Sequence, residues 1–277
     1  MKKTIKVATH SGIFHADEVC AVALLRCIEN FGEVVVDRLP HQVAEIVLVK
    51  YDLVVDIGRV HNPAGGRFDH HQTSPAEGES RAAAGLVWSW VKESGKLPDV
   101  PAINKLVKLV DENDTGIRPS GSFELPAIVS RYNAQNPFGD EQKAAFEAAV
   151  SFVETQIRAL IAEFELHEEA KVVAAAAKPT EIKGVVELPS FNRLWSHYIN
   201  GEATPSIEVV IWYDADQDQW SAQTTPKKVG SFERTGRGIR ALEELPEGMK
   251  FAHKGEFFAC ANTKKVLISY LKNNLFS

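Results

Sequence analysis

The stretch TIKVATHSGIFHADEVCAVALLRCIEN, residues 4–30, decides how the chain is read. Residues 4–9 alternate well enough for a β-strand, and within 16–30 Val19, Ala23 and Cys27 recur at helical spacing. A strand that passes through a short loop into a helix opens a β-α-β unit. The next segments continue it. EVVVDRL (33–39) is β-branched and reads as a second strand, HQVAEIVLV (41–49) as a short helix, and YDLVVDIG (51–58) as a buried strand closed by Gly58. This order predicts a parallel sheet with crossover helices. Functional groups in such sheets gather beyond the carboxyl ends of the strands. His10 follows the first strand and Asp56 ends the third, so both are expected at one rim.

Downstream, RFDHHQTS (67–74) sets Asp69, His70 and His71 side by side. Gly65 and Gly66 before it, with Pro75 and Gly78 after it, predict a tight loop. A carboxylate beside two imidazoles offers the mixed oxygen and nitrogen donors that a divalent transition metal takes. Alternation along a strand would let only one of the two imidazoles face the site. Residues 80–95 read as a helix stopped by Gly95, and 100–116 as another, started near Pro101 and ended at Gly116. Asp111 and Asp114 fall at its end, where carboxylates oppose the helix dipole unless a cation is near.

Residues 140–177 carry Phe146, Val150, Val153, Ile157, Leu160 and Phe164 at spacings of three and four, a long helix capped by Asp140. The pattern breaks at 178–184. Beyond it, 206–224 reads as a hairpin, 235–245 as a helix opening after Gly236 and Gly238, 249–261 as a second hairpin, and 263–271 as a closing helix. The expected α/β fold has three parts: a parallel-sheet metal domain (1–139), a long linking helix (140–178) and an α+β cap (179–277).

Length and composition bound the function. The 277 residues suffice for one large or two modest domains, and 44% hydrophobic with 25% charged residues is ordinary for a globular protein. A net charge of −6 gives no global field for holding a long duplex, so any nucleic-acid contact must be local. Cys20, Cys27 and Cys260 form no CxxC pair, which suits a reducing compartment and excludes a thiolate zinc site. The N-terminus lacks the apolar core of a signal peptide, and no apolar run approaches the ~18 residues of a membrane span. A cytoplasmic protein is expected.

Four acid or imidazole groups thus fall at element ends: His10, His15 and Asp17 after the first strand; Asp56; the Asp69–His71 triplet; and Asp111 with Asp114. Each alone reads equally well as structural: Asp17 as a helix cap, Asp56 as a turn former, His10 as a loop polar residue. Together, in this order on a parallel-sheet pattern, they point to a metal site.

That order resembles the DHH phosphoesterase superfamily. THSGIFHADEVCAVALL, RFDHHQ and LVDENDTGI resemble, more narrowly, its melanocyte-proliferating-gene (Myg) family, and QWSAQTTP, GRGIR and FAHKGEFF extend the likeness over nearly the whole chain. The resemblance implies two divalent cations, usually manganese, bridged by Asp56. His10 and His15 would hold one ion; Asp17, His70 and Asp114 the other, with Asp111 as second choice. Asp69 would orient a neighbouring imidazole, and His71 would contact a phosphate oxygen or protonate the leaving group. The superfamily's first motif spaces His, three residues, Asp, one residue, Asp; here it is His10, four residues, His15, one residue, Asp17, which favours manganese, iron, nickel or zinc over magnesium.

Arg237, Arg240, His253 and Lys254 are the expected substrate-binding cations, with a solvated basic face as the alternative; ACANT (259–263) stands where superfamily relatives carry a glycine-rich stretch ending in histidine. Trp220 or Phe257 could stack a base, or simply pack. The implied activity is 3′–5′ exonuclease or phosphodiesterase action on short single-stranded RNA. The alternatives are a manganese pyrophosphatase or nucleotide phosphatase, and a catalytically lapsed metal-binding regulatory protein. Oligomeric state stays open, a homodimer included.

Overall fold

A computed structural model describes residues 2–72 and 80–276. Pro75 and Gly78, expected to close the loop around the triplet, lie outside the described residues. The chain divides into two compact units, Met1–Ala162 and Glu163–Ser277.

The first unit runs β1 (Lys3–His10), α1 (Ala16–Arg26), β2 (Phe31–Leu39), α2 (Glu45–Leu48), β3 (Leu53–Val55), β4 (His61–Asn62), β5 (Arg67–Phe68), α3 (Ala83–Glu93), α4 (Pro101–Asp114) and α5 (Leu125–Ser130), then enters α6 (Asp140–Ala175). Its sheet has the order β2-β1-β3-β5-β4. β1 lies parallel to β2 and β3, and β3 parallel to β5. The two-residue β4 pairs antiparallel with β5, which makes the sheet mixed rather than wholly parallel.

The chain goes outward from β1 to β2 and then returns across β1 to β3. Connections therefore leave β1 and β3 in opposite directions, and a crevice opens between their carboxyl ends. His10 is the last residue of β1, Asp56 follows β3, and Asp69 follows β5. Three neighbouring parallel strands deliver their next residues to one rim.

Helix α1 has no polar face. Every residue from Ala16 to Leu25 is buried, as in a helix enclosed by its own domain. It packs against α3 and α4. Burial extends to Asp17 and Glu18 in the first turn, where the positive end of the helix dipole favours carboxylates. Glu18 also closes the turn, accepting from the His15 backbone N–H at 3.1 and 3.0 Å.

The start of α3 is capped from a distance. Ala82, before its first turn, has no polar side chain, and Asp111 Oδ1 of α4 accepts from the Ala82 and Gly85 N–H groups at 3.0 and 2.9 Å. A Cβ at Gly85 would overlap the Asp111 carboxylate, so glycine permits this approach.

The second unit contains a six-stranded sheet built from β6 (Lys178–Pro179), β7 (Val185–Glu187), β8 (Val209–Asp214), β9 (Gln219–Thr224), β11 (Met249–Ala252) and β12 (Phe258–Ala261), in the order β11-β12-β9-β8-β7-β6. All its pairings are antiparallel except β7 with β8. Helix α7 (Lys264–Asn274) buries Leu267, Ile268, Tyr270 and Leu271 against Val209, Ile211 and Ala222.

The helix expected over 235–245 does not form. Gly238–Ile239 is instead strand β10, paired antiparallel with β13 (Leu275–Phe276). Two glycines within three residues cost a helix about 1 kcal/mol each. Ile239 is fully buried in the core beside α7, and a Cβ at Gly238 would come within 2.7 Å of the Arg234 guanidinium. Among the described residues no helix is long and apolar enough to cross a membrane.

Candidate metal centre

The rim of the first sheet gathers His10, His15, Asp17, Asp56, His70, His71 and Asp114. They fall into overlapping groups whose donor atoms lie within 4.8 Å of one another: His10, His15 and Glu18; His15, Asp17 and Asp114; Asp17, Glu18 and Asp56; Asp56, His70 and His71. His15, Asp17, Glu18 and Asp56 each belong to two groups, so the set is continuous. Glu18 was not foreseen from the sequence. Its signal was local: HADE places a glutamate three residues after His15, in capping-box position.

Asp56 sits at the centre. His10 Nε2 is 3.2 Å from its Oδ2, and His70 Nε2 and His71 Nδ1 are 3.4 and 3.5 Å from its Oδ1. Its backbone has φ +56°, a left-handed conformation that Asp and Asn tolerate better than most residues. Both imidazoles of the triplet reach this carboxylate, where strand alternation predicted one. The reason is that β5 ends at Phe68, so His70 and His71 lie on a turn.

Behind the rim, Asp69 accepts from the backbone N–H groups of Arg59 (2.6 Å) and His71 (2.9 Å) and lies 2.8 Å from His71 Nδ1. These contacts would hold the imidazole in one orientation. Asp111 is occupied with the α3 N-terminus, while Asp114, one turn on, stands 3.2 Å from His70 Nε2 and 4.0 Å from His15 Nδ1. His41 stacks on His10 with ring centroids 4.4 Å apart, a contact that no local pattern announced.

The electrostatics of the cluster would suit a cation. Asp17 is fully buried, and neither of its carboxylate oxygens has a hydrogen-bond partner. Burial, then the charges of Asp56 and Asp114 and the adjacent Glu18 carboxyl, push its pKa well above the usual carboxylate value. Burial would raise Asp56, but hydrogen bonds from His10 and His70 outweigh it and bring the pKa to about 2. An unpaired buried carboxylate costs several kcal/mol. Hard oxygen donors beside borderline imidazoles are a fitting donor set for divalent manganese, iron or zinc.

Proton linkage gives a first test. Burial would lower the His10 pKa, yet the Asp56 and Glu18 carboxylates raise it to about 10; Asp114 and Asp56 likewise overcome burial and raise His70 to about 10. Without metal both imidazoles are therefore protonated at pH 7, and ligation requires them neutral. Metal affinity should rise with pH up to the region of these pKa values. Calorimetry at pH 7 in buffers of different ionisation enthalpy should read about two protons released from His10 and His70 on loading, and more to the extent that Asp17 is protonated without metal. Proton-neutral binding would contradict the ligand roles of His10 and His70.

The expected substrate cations lie in the second unit. Arg237 Nε donates to Glu208 at 2.5 Å and its Nη2 to the Lys183 carbonyl. Arg240 is exposed, with its guanidinium 5.1 Å from the centre of the Phe276 ring. His253 Nδ1 accepts from the Gly255 N–H at 2.9 Å, closing the β11–β12 turn. Lys254 lines a cleft of about 970 Å³ with Phe232, Arg234 and Phe257. Trp220 is half-buried, with Lys264 Nζ 5.3 Å over its ring.

Fold and site together define an α/β domain with a buried carboxylate–imidazole cluster at its topological switch point. The chain belongs to the family described as MYG1_exonuc, Uncharacterised protein family (UPF0160), which matches residues 6–94 and 100–275. It is similar to the "MYG1 exonuclease" of Mus musculus, 26% identical, with 98% of this chain and 84% of that protein aligned. A Chlamydia pneumoniae "MYG1 protein" is 28% identical over 91% of this chain and 90% of its own length. A Schizosaccharomyces pombe "MYG1 protein" reaches 38% identity over 48% of this chain and 49% of that one.

Proposed function

We propose that the chain is a divalent-metal-dependent phosphoesterase of the DHH superfamily, a 3′–5′ exonuclease or phosphodiesterase acting on short single-stranded RNA. The observation that carries this reading is Asp17: a buried carboxylate without a hydrogen bond, within ligand reach of His15 and Asp114. The printed name "MYG1 exonuclease" of its mammalian relatives supports the reaction class. Buried free cysteines suit the reducing cytoplasm, where we place the enzyme. In the second unit, Arg240 and Lys254 are the exposed cations proposed to bind substrate, and Arg237 is committed to Glu208.

Two manganese ions are the proposed cofactors, held by His10, His15, Asp17, Glu18, Asp56, His70 and Asp114. When bound, such a pair supplies a water of lowered pKa and neutralises charge on the phosphoryl oxygens. The chain's own proton step falls to His71. Its Nδ1 faces the Asp69 carboxylate, which, with burial opposing, raises the imidazole pKa. Nε2 is then the atom that gives up a proton. Hydrolysis adds hydroxyl to phosphorus and breaks the P–O3′ bond, and the departing oxygen takes the Nε2 proton. Asp69 keeps the ring in the donating tautomer throughout.

The test is hydrolysis of a 5′-labelled RNA pentamer with and without manganese, beside phosphate release from pyrophosphate. Manganese-dependent shortening from the 3′ end is expected. Phosphate release from pyrophosphate alone would assign the pyrophosphatase alternative, and inertness toward both would contradict the proposal.

A further inference from the structure

A cleft of about 560 Å³ opens directly beside the cluster, within the range of about 300–1,000 Å³ usual for small-molecule sites. It shares His10 and His15 with the cluster, and its remaining wall includes Ile13, His41, Pro137 and Phe138. Ile13 is 58% exposed and Phe138 76% exposed. Two large apolar side chains are left to water at the mouth of a charged site.

This wall is built on fixed backbone. Gly12 has φ +98°, and a Cβ there would lie 3.6 Å from the Phe138 ring, so the ring rests over bare main chain. The Gly12 carbonyl accepts from Arg38 Nη2 at 3.0 Å and from Gln142 Nε2 at 2.8 Å. Arg38 in turn contacts the rings of Phe14 and Phe146, its guanidinium 5.3 and 4.7 Å from their centroids. Asn136 Oδ1 accepts from the Phe138 N–H at 3.1 Å.

An inorganic phosphate chain gains nothing from such a wall, since it needs donors and cations. A flat, apolar group attached to a phosphate gains a great deal. We infer that the Ile13–Phe138 wall is a nucleobase subsite, which holds the base of a nucleoside phosphoester on the Phe138 face while its phosphate meets the metal cluster. The inference rests on the phosphoesterase reading and adds to it the residues that would hold a base, a subsite that pyrophosphate or polyphosphate would have no use for. An aromatic face and an aliphatic edge carry no hydrogen-bond code, so purines and pyrimidines should both be accepted.

Calorimetric binding of AMP, CMP and ribose 5-phosphate to the manganese-loaded full chain tests this without turnover. AMP and CMP should bind roughly tenfold tighter than ribose 5-phosphate, as expected for one stacked base. Phe138→Ala should erase that preference while keeping the manganese-induced rise in Tm, and Phe138→Tyr should restore it. Equal binding of AMP and ribose 5-phosphate by the wild type, or a preference that survives Phe138→Ala, would overturn the subsite. A base preference without hydrolysis of any phosphodiester would instead overturn the phosphoesterase reading and leave the subsite standing. Binding of none of the three would overturn both.

Discussion

Asp56→Asn is expected to lower manganese-dependent RNA hydrolysis by about three orders of magnitude or more, with the fold retained. The substitution removes charge alone. Asparagine matches aspartate in size and shares its tolerance of positive φ, so the +56° backbone persists. Three imidazoles, His10, His70 and His71, lose the anion they converge on. Alanine would be a poorer test, because it would add backbone strain at this φ. Steady-state rates with matched circular dichroism check the prediction, and activity within tenfold of wild type would remove Asp56 from the centre.

Asp17→Asn should produce a crossing effect. In the metal-free protein this carboxylate is buried without a hydrogen bond, close to the charges of Asp56 and Asp114. Removing its charge should stabilise the metal-free fold by about 1–3 kcal/mol, or several degrees in Tm. The sign with pH is fixed by linkage. A carboxyl whose folded pKa lies above its unfolded value of 3.8 costs nothing when protonated in both states, and the cost grows as pH rises. The gain from asparagine should therefore vanish below about pH 4 and be full only above the raised folded pKa.

Manganese should reverse the ranking. At a hundredfold excess over Kd it should stabilise wild type by about 2.7 kcal/mol per site, and Asp17→Asn should lose most of that. Melting curves with chelator and with manganese read both effects. If the variant is less stable than wild type without metal, Asp17 is a structural partner rather than a ligand.

How much of this was legible in the sequence follows the range of the interactions involved. His10 and Asp56 could be placed because strand ends are marked by local pattern, and strands β1 and β3 are apolar enough to see. β5, only two residues long, could not be seen, yet its pairing with β3 is what carries Asp69, His70 and His71 to the same rim. Asp111 and Asp114 are one turn apart, and spacing cannot separate them. What distinguishes them is the need of α3 for an acceptor at Ala82 and Gly85, which only Asp111 meets. Gly238–Ile239 was misread as a helix start because its partner, Leu275–Phe276, lies at the far end of the chain. Glu18 was within reach of local reasoning, and the capping-box spacing after His15 would have found it.

The most direct measurement is anomalous diffraction from crystals grown with manganese. Peaks should appear among His15, Asp17, Asp56, His70 and Asp114, with ligand distances of about 2.0–2.6 Å. A difference map with no anomalous peak at this rim, and Asp17 still without a partner, would contradict the assignment of the cluster as a metal centre.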